Sequence, residues 1–128
     1  MINEKINIEF DFEKLDVYKL ALTFLSKLFK IHRELPKDLK YSLGDQLIRA
    51  GVSISNNLAE GSGKSSAKEK KRYYNTSLDS ARECISMNNI LLREKLINIE
   101  TYEAIRQDGR NITGMLKGLI KSVKDYSA

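Results

Sequence analysis

A chain of 128 residues is the size of one ordinary domain and leaves no room for a catalytic domain beside a separate binding domain, so residues 1–128 are read as one unit. With 41% hydrophobic and 30% charged residues, seven Gly and one Pro, the composition is too apolar for disorder and too poor in turn formers for a many-stranded β protein, which leaves an all-α chain. The formal charge of +5 lies in one half: residues 1–63 hold 9 basic and 9 acidic side chains, residues 64–128 hold 13 and 8, and such an excess suits a polyanion such as RNA or DNA.

Cys84 is the single cysteine and cannot form an internal disulfide, and no N-terminal segment joins a basic start to an apolar run, so the chain reads as cytoplasmic. No uncharged apolar stretch approaches the roughly 18 residues that a bilayer span needs, and no membrane role is expected.

The first helix is expected over about 14–34. Leu15, Tyr18, Leu22, Leu25 and Phe29 form one apolar row at steps of three and four. Val17, Leu20, Ala21, Phe24, Leu28, Ile31 and Leu35 form a second row roughly 125° away, which widens the apolar arc to about 200°. One core cannot use all of it, so this helix is expected to pack inward and also against another chain. Leu35-Pro36 ends it.

A second helix follows over about 40–60, with Leu43, Leu47, Ala50, Ile54 and Leu58 as its core stripe and Ile48, Val52 and Ala59 beside it. Its polar residues Gln46, Arg49, Ser53, Asn56, Asn57 and Glu60 share a seam of their own. The low charge of the helix predicts that most of it is buried, so the seam needs internal hydrogen bonds, with Glu83 and Arg82 as the expected partners of Arg49 and Glu60. A small-molecule site in that seam is the alternative. Gly61 is expected past the helix end in the left-handed conformation.

Ser66 and Glu69 match a capping box that opens a third helix over about 66–95. Its core row is Tyr74, Leu78, Ala81, Ile85, Asn88 and Leu92, widened by Cys84, Met87 and Leu91. A fourth helix over about 100–126 carries a heptad seam: Tyr102, Ile105, Gly109, Ile112, Leu116, Leu119, Val123 and Tyr126. Gly109, Gly114 and Gly118 each cost about 1 kcal/mol relative to Ala inside a helix, so another backbone is expected close to each. Four helices with short connections describe an up-down-up-down antiparallel four-helix bundle.

Motifs for catalysis fail on spacing. Gly61-Ser62-Gly63-Lys64-Ser65-Ser66 is not a P-loop, because the first glycine belongs at position 58, which is Leu58, and a helix rather than a strand leads into the loop. His32 is the only histidine, there is no cysteine pair, and a Cys-His nucleophile would need Cys84 and His32 to meet by chance. No enzyme, metal or cofactor is expected.

The basic residues form two groups. Lys64, Lys68, Lys70, Lys71 and Arg72 surround only Glu69 at a helix start, where the macrodipole disfavours cations. On the fourth helix Arg106, Arg110, Lys117, Lys121 and Lys124 fall within about 60° of one another, away from the heptad seam, with Glu103 and Asp125 near the ends of the stripe. Tyr73 and Tyr74 add aromatic surface beside the first group. Such charges bind backbone phosphates without sequence preference.

Gln46-Leu-Ile-Arg-Ala-Gly-Val-Ser-Ile-Ser-Asn-Asn-Leu-Ala-Glu-Gly61, with Ser62-Gly63-Lys64 and Lys68-Glu69, resembles the signature of the four-helix-bundle proteins encoded in intervening sequences of bacterial large-subunit ribosomal RNA genes. The accessory variability proteins of diversity-generating retroelements share that superfamily. Agreement extends to Leu15-Asp-Val-Tyr18, Ala21, Pro36, Leu78, Glu83 and Met115-Leu-Lys-Gly-Leu-Ile120; Tyr18 stands where tryptophan is common, Gly51 where alanine is usual and Leu58 in place of isoleucine. The resemblance implies a ring-like homopentamer, and its accessory members bind nucleic acid and a reverse transcriptase through a basic surface. The expected function is a non-enzymatic oligomeric bundle that binds RNA or DNA phosphates, accessory to a nucleic-acid enzyme; a protein-interaction scaffold without nucleic-acid binding is the alternative.

Overall fold

Extended backbone at Leu15 (φ −69°, ψ 128°) and Leu35 (φ −68°, ψ 149°) delimits the first long helix, α1 (Asp16–Glu34). Pro36 accounts for the second break, since its ring disfavours the α conformation in the residue before it. The computed structural model describes residues 9–124. A 3-10 turn (Asp11–Lys14) precedes α1, and after it come the short turn α2 (Lys37–Leu39), then α3 (Asp45–Ser62), α4 (Ala67–Arg93) and α5 (Ile99–Ser122). Among the described residues there are no strands, and no helix is long and apolar enough to cross a membrane.

Each long helix packs on its neighbours in the chain, and α5 returns to α1, while the diagonal pairs α1–α4 and α3–α5 stay apart. With short connections this is an up-down-up-down four-helix bundle. Phe24, Leu28, Leu47, Ile54, Leu58, Leu91, Ile105, Ile112 and Leu116 are its largest fully buried apolar side chains.

One apolar row of α1 is buried in this core, and of the other Leu15, Tyr18 and Leu25 are half-buried against it. Val17, Ala21, Phe24, Leu28 and Ile31 are buried, whereas Leu22 and Phe29 of the other row are each 40% exposed. On α5 the heptad seam holds from Ile105 to Leu116, but the helix stops at Ser122, with Val123 extended. Asp125 and Tyr126 lie outside the described residues.

The core row of α4 is rotated from the expected one. Leu78, Ile85 and Leu92 are only half-buried, and Ser77 and Ser80 take the buried positions with Tyr74, Ala81, Cys84, Met87, Asn88 and Leu91. Small residues let α4 approach α3 closely: Ser77 Oγ donates to the Ile54 carbonyl at 2.7 Å and Ser53 shares a hydrogen bond with Ser80 at 2.7 Å. Asn88 Nδ2 donates to the Tyr102 carbonyl at 3.0 Å, fastening α4 to α5.

That close approach also overturns the buried polar seam. Gln46, Arg49, Asn56, Glu60, Arg82 and Glu83 are exposed, because the α3–α4 contact runs through Ile54, Ser77 and Ala81 and leaves the seam at its edge. Gln46 Nε2 reaches Glu83 Oε2 at 3.5 Å, and Asn57 Nδ2 donates to the Ser53 carbonyl at 2.8 Å. Arg49 has no charged partner among the described residues.

Chain ends of the helices differ from expectation in two further places. Gly61 is helical rather than left-handed, and it is buried because a Cβ there would lie 2.7 Å from the Tyr74 ring. The left-handed residue is instead Lys95 (φ 59°), which closes α4 in a Schellman turn with Leu96 N–H on the Leu91 carbonyl at 2.9 Å. At the other end, α3 is entered through a π turn (Lys40–Gly44), held where His32 Nε2 meets Asp45 Oδ1 at 2.9 Å.

Of the three α5 glycines only Gly109 meets a neighbour: its Cβ would stand 2.7 Å from Ile85 Cγ1, while Gly114 and Gly118 have nothing within 4 Å. Opposite effects are therefore expected. Gly114→Ala and Gly118→Ala should each raise stability by about 1 kcal/mol through helix propensity. Gly61→Ala should lower it, because overpacking against the ring of Tyr74 costs about 1–3 kcal/mol. Urea melts of the three variants check both signs.

Candidate nucleic-acid interface

The heptad seam of α5 fixes where its charges point. Because Ile105, Gly109, Ile112 and Leu116 turn inward, Arg106, Arg110, Lys117 and Lys121 turn out, and Lys124 continues the line just past the helix. All five are exposed and none forms an ion pair among the described residues; Arg106 Nη1 donates to the Tyr102 hydroxyl at 3.4 Å. From Arg106 to Lys124 the stripe runs about 27 Å at 1.5 Å per helical residue. One nearby carboxylate is withdrawn from it: Asp108 on the flank of α5 is paired with Lys27 of α1 at 2.7 Å. Glu103 stays exposed near the start of the stripe. The open Gly114 and Gly118 lie beside Arg110, Lys117 and Lys121 on the same face, so the helix backbone is bare between the cations.

The α4 group divides in two. Arg72 grips Glu69 with two hydrogen bonds, Nε to Oε1 at 3.2 Å and Nη2 to Oε2 at 3.1 Å, and its guanidinium lies 4.4 Å from the Tyr73 ring centroid. The pair reinforces both charges: the hydrogen bond from Arg72 holds the Glu69 carboxyl below its ordinary range, and the one to Glu69 raises Arg72. Lys64 Nζ also lies over the Tyr73 ring, 5.1 Å from its centroid, and 3.8 Å from Glu60 Oε2. Lys70 Nζ donates to the carbonyls of Ser62 at 2.9 Å and Gly61 at 3.5 Å, where it satisfies the end of α3 and complements its dipole. Lys68 and Lys71 have no charged partner among the described residues.

Ser66 caps α4 by accepting from the Glu69 N–H at 3.1 Å, but the Glu69 carboxylate turns to Arg72 instead of closing the capping box. Antiparallel packing then places this start of α4 beside the end of α5. A cavity of about 650 Å³ lies between them, lined by Ser65, Ser66, Ala67, Lys68, Lys70, Tyr74, Leu119, Ser122, Val123 and Lys124. The two basic groups, separate in the sequence, therefore meet at one end of the bundle. Arg106 and Arg110 lie toward the other end.

The exposed seam on α3 borders a different cleft, of about 490 Å³, lined by Asp45, Gln46, Arg49, Ser53, Ser80 and Glu83 among others. It brings Arg49 and Glu83 to one surface without bonding them. Cys84 and His32 are on the diagonal helices α4 and α1, whose backbones do not approach each other. Desolvation, with some help from Glu83, pushes the buried Cys84 thiol up to about 12. A thiol-reactive dye at pH 8 should therefore leave Cys84 unmodified in the native protein and label it once the chain is unfolded.

No curated protein sequence matches the chain. It is similar to a crystal structure of a protein of unknown function from the S23 ribosomal protein family of Bacteroides thetaiotaomicron VPI-5482, with a TM-score of 0.77 and 27% identity over 83% of this chain and 96% of that one. The model of the 23S rRNA-intervening sequence protein family matches residues 13–118, which takes in all four long helices up to the last turn of α5. On that match the chain belongs to the 23S rRNA-intervening sequence protein family.

Proposed function

We propose that the chain is a non-enzymatic, self-associating helical bundle that binds RNA or DNA through phosphate contacts on the α5 face. The observation that carries this reading is the row of five exposed cations, Arg106, Arg110, Lys117, Lys121 and Lys124, none of them neutralised by an acidic side chain among the described residues. Lys68 and Lys71 extend it across the end of the bundle. Lys64 and Arg72, paired with Glu60 and Glu69, hold the surface in shape, and Lys70 gives two of its three donors to the end of α3.

Self-association rests on the outer side of α1, where Leu22 and Phe29 are exposed beside half-buried Leu25, and on the exposed polar residues of α3. A homopentamer, which the resemblance to the ribosomal-RNA intervening-sequence proteins implies, gathers a charge of about +25 on one particle and multiplies weak phosphate contacts. In this reading the protein is an accessory to a nucleic-acid enzyme.

Fluorescence anisotropy with labelled single-stranded RNA and duplex DNA tests it. Five phosphate contacts give a salt slope of about −4.5 on duplex DNA, so affinity should drop about 500-fold between 50 and 200 mM salt. A well-folded oligomer that binds neither strand at 50 mM salt sinks the reading and favours a protein-interaction scaffold, for which the cleft beside Arg49 and Glu83 is the starting surface.

A further inference from the structure

The cavity at the end of the stripe offers chemistry that the open face of α5 does not. Lys68 lines it from the start of α4 and Lys124 from just past the end of α5, and neither has a charged partner among the described residues. Lys70 joins them with one donor to spare, since an ammonium has three and the carbonyls of Ser62 and Gly61 take two. The hydroxyls are complementary. Ser66 Oγ accepts from the Glu69 N–H, which leaves its own O–H to donate; Ser122 spends its O–H on the Leu119 carbonyl at 2.7 Å, which leaves its oxygen to accept.

Cationic donors, a hydroxyl donor and a hydroxyl acceptor over the apolar side chain of Leu119 suit a phosphate, a sugar hydroxyl and a base respectively. The volume of about 650 Å³ is in the usual range for sites that hold a small ligand. A phosphodiester inside a strand carries one negative charge, whereas a terminal phosphomonoester carries about −1.5 to −2 near neutral pH. The cavity, with its three lysines, favours the second, and it sits where the stripe ends rather than along it.

We infer that this cavity receives the terminal, phosphorylated nucleotide of a strand whose body lies on the α5 face. The inference rests on the nucleic-acid reading of that face and adds recognition of strand ends to it. Three RNA strands of one sequence test it by anisotropy at fixed salt: one with a 5′-phosphate, one with a 3′-phosphate and one with hydroxyls at both ends. At least one phosphorylated strand should bind about tenfold tighter than the hydroxyl-ended strand, the low end for charge-assisted hydrogen bonds.

Ser122→Phe, at an exposed last helical position, fills the cavity without changing charge and should erase that preference while leaving the hydroxyl-ended strand and the melting temperature unchanged. Lys68→Gln should erase it as well. Equal binding of the three strands overturns the inference and leaves the α5 reading standing. Failure of all three to bind overturns both, and a preference that survives both substitutions assigns end recognition elsewhere.

Discussion

Changing Arg110, Lys117 and Lys121 together to Glu should abolish nucleic-acid binding and leave the bundle intact. These side chains are exposed and unpaired among the described residues, so the folded state loses no contact by their reversal, and surface changes of this kind stay within about 0.5 kcal/mol each. Binding has the opposite sensitivity. Removing three of five phosphate contacts lowers the salt slope by about one for each contact, and the introduced carboxylates add repulsion across the middle of the stripe. Affinity at low salt should fall more than about 100-fold, with unchanged helical content and melting temperature. If the triple variant binds as the parent does, the stripe is not the site, and the cations at the start of α4 become the first alternative.

Two phenylalanines one and a half turns apart on α1 should behave as opposites. Phe24 is fully buried, and truncating it to Ala empties the centre of the bundle at a cost of about 3–5 kcal/mol. For a domain of this size that lowers the melting temperature by roughly 10–25 °C. Phe29 is 40% exposed, on the outer side of the helix with Leu22. Phe29→Glu should cost the single subunit little, and it should break the proposed assembly by placing charges in an apolar contact between copies. Light scattering would then report a subunit mass near that of one chain for Phe29→Glu and the parental assembly for a conservative Phe29→Leu. A Phe29→Glu protein that keeps the parental mass removes α1 from the interface.

This contrast also marks how far the sequence could be read. The doubled apolar face of α1 is visible as two rows at helical spacing, and the heptad seam of α5 identifies both a buried side and, by opposition, the cationic side. Periodicity does not say which α1 row belongs to the subunit's own core. Leu22 and Phe29 are as apolar as Phe24 and Leu28, and the decision lies in which neighbours the connections allow.

On α4 the spacing rule fails for a specific reason. Ser77 and Ser80 do not register as apolar, yet their size is what admits α3, and the helix rotates to bury them in place of Leu78 and Ile85. On α3 the contact with α4 runs through Ile54 and leaves Arg49 and Glu60 at the surface. Lys70 looked like the other lysines of its run; its tie to the end of α3 depends on a tertiary approach that no local pattern encodes. The cavity shared by Lys68 and Lys124, more than fifty residues apart, exists only because antiparallel neighbours bring the start of one helix to the end of the next.

Ultraviolet cross-linking of a bound RNA strand to the native protein, followed by peptide mass spectrometry, tests the central claim most directly. Adducts should concentrate on peptides spanning residues 106–124 and on the start of α4 around Lys68, Lys71 and Tyr73. Adducts confined to the α3 surface around Arg49, or none at all on peptides carrying the α5 cations while the strand is demonstrably bound, would contradict the account.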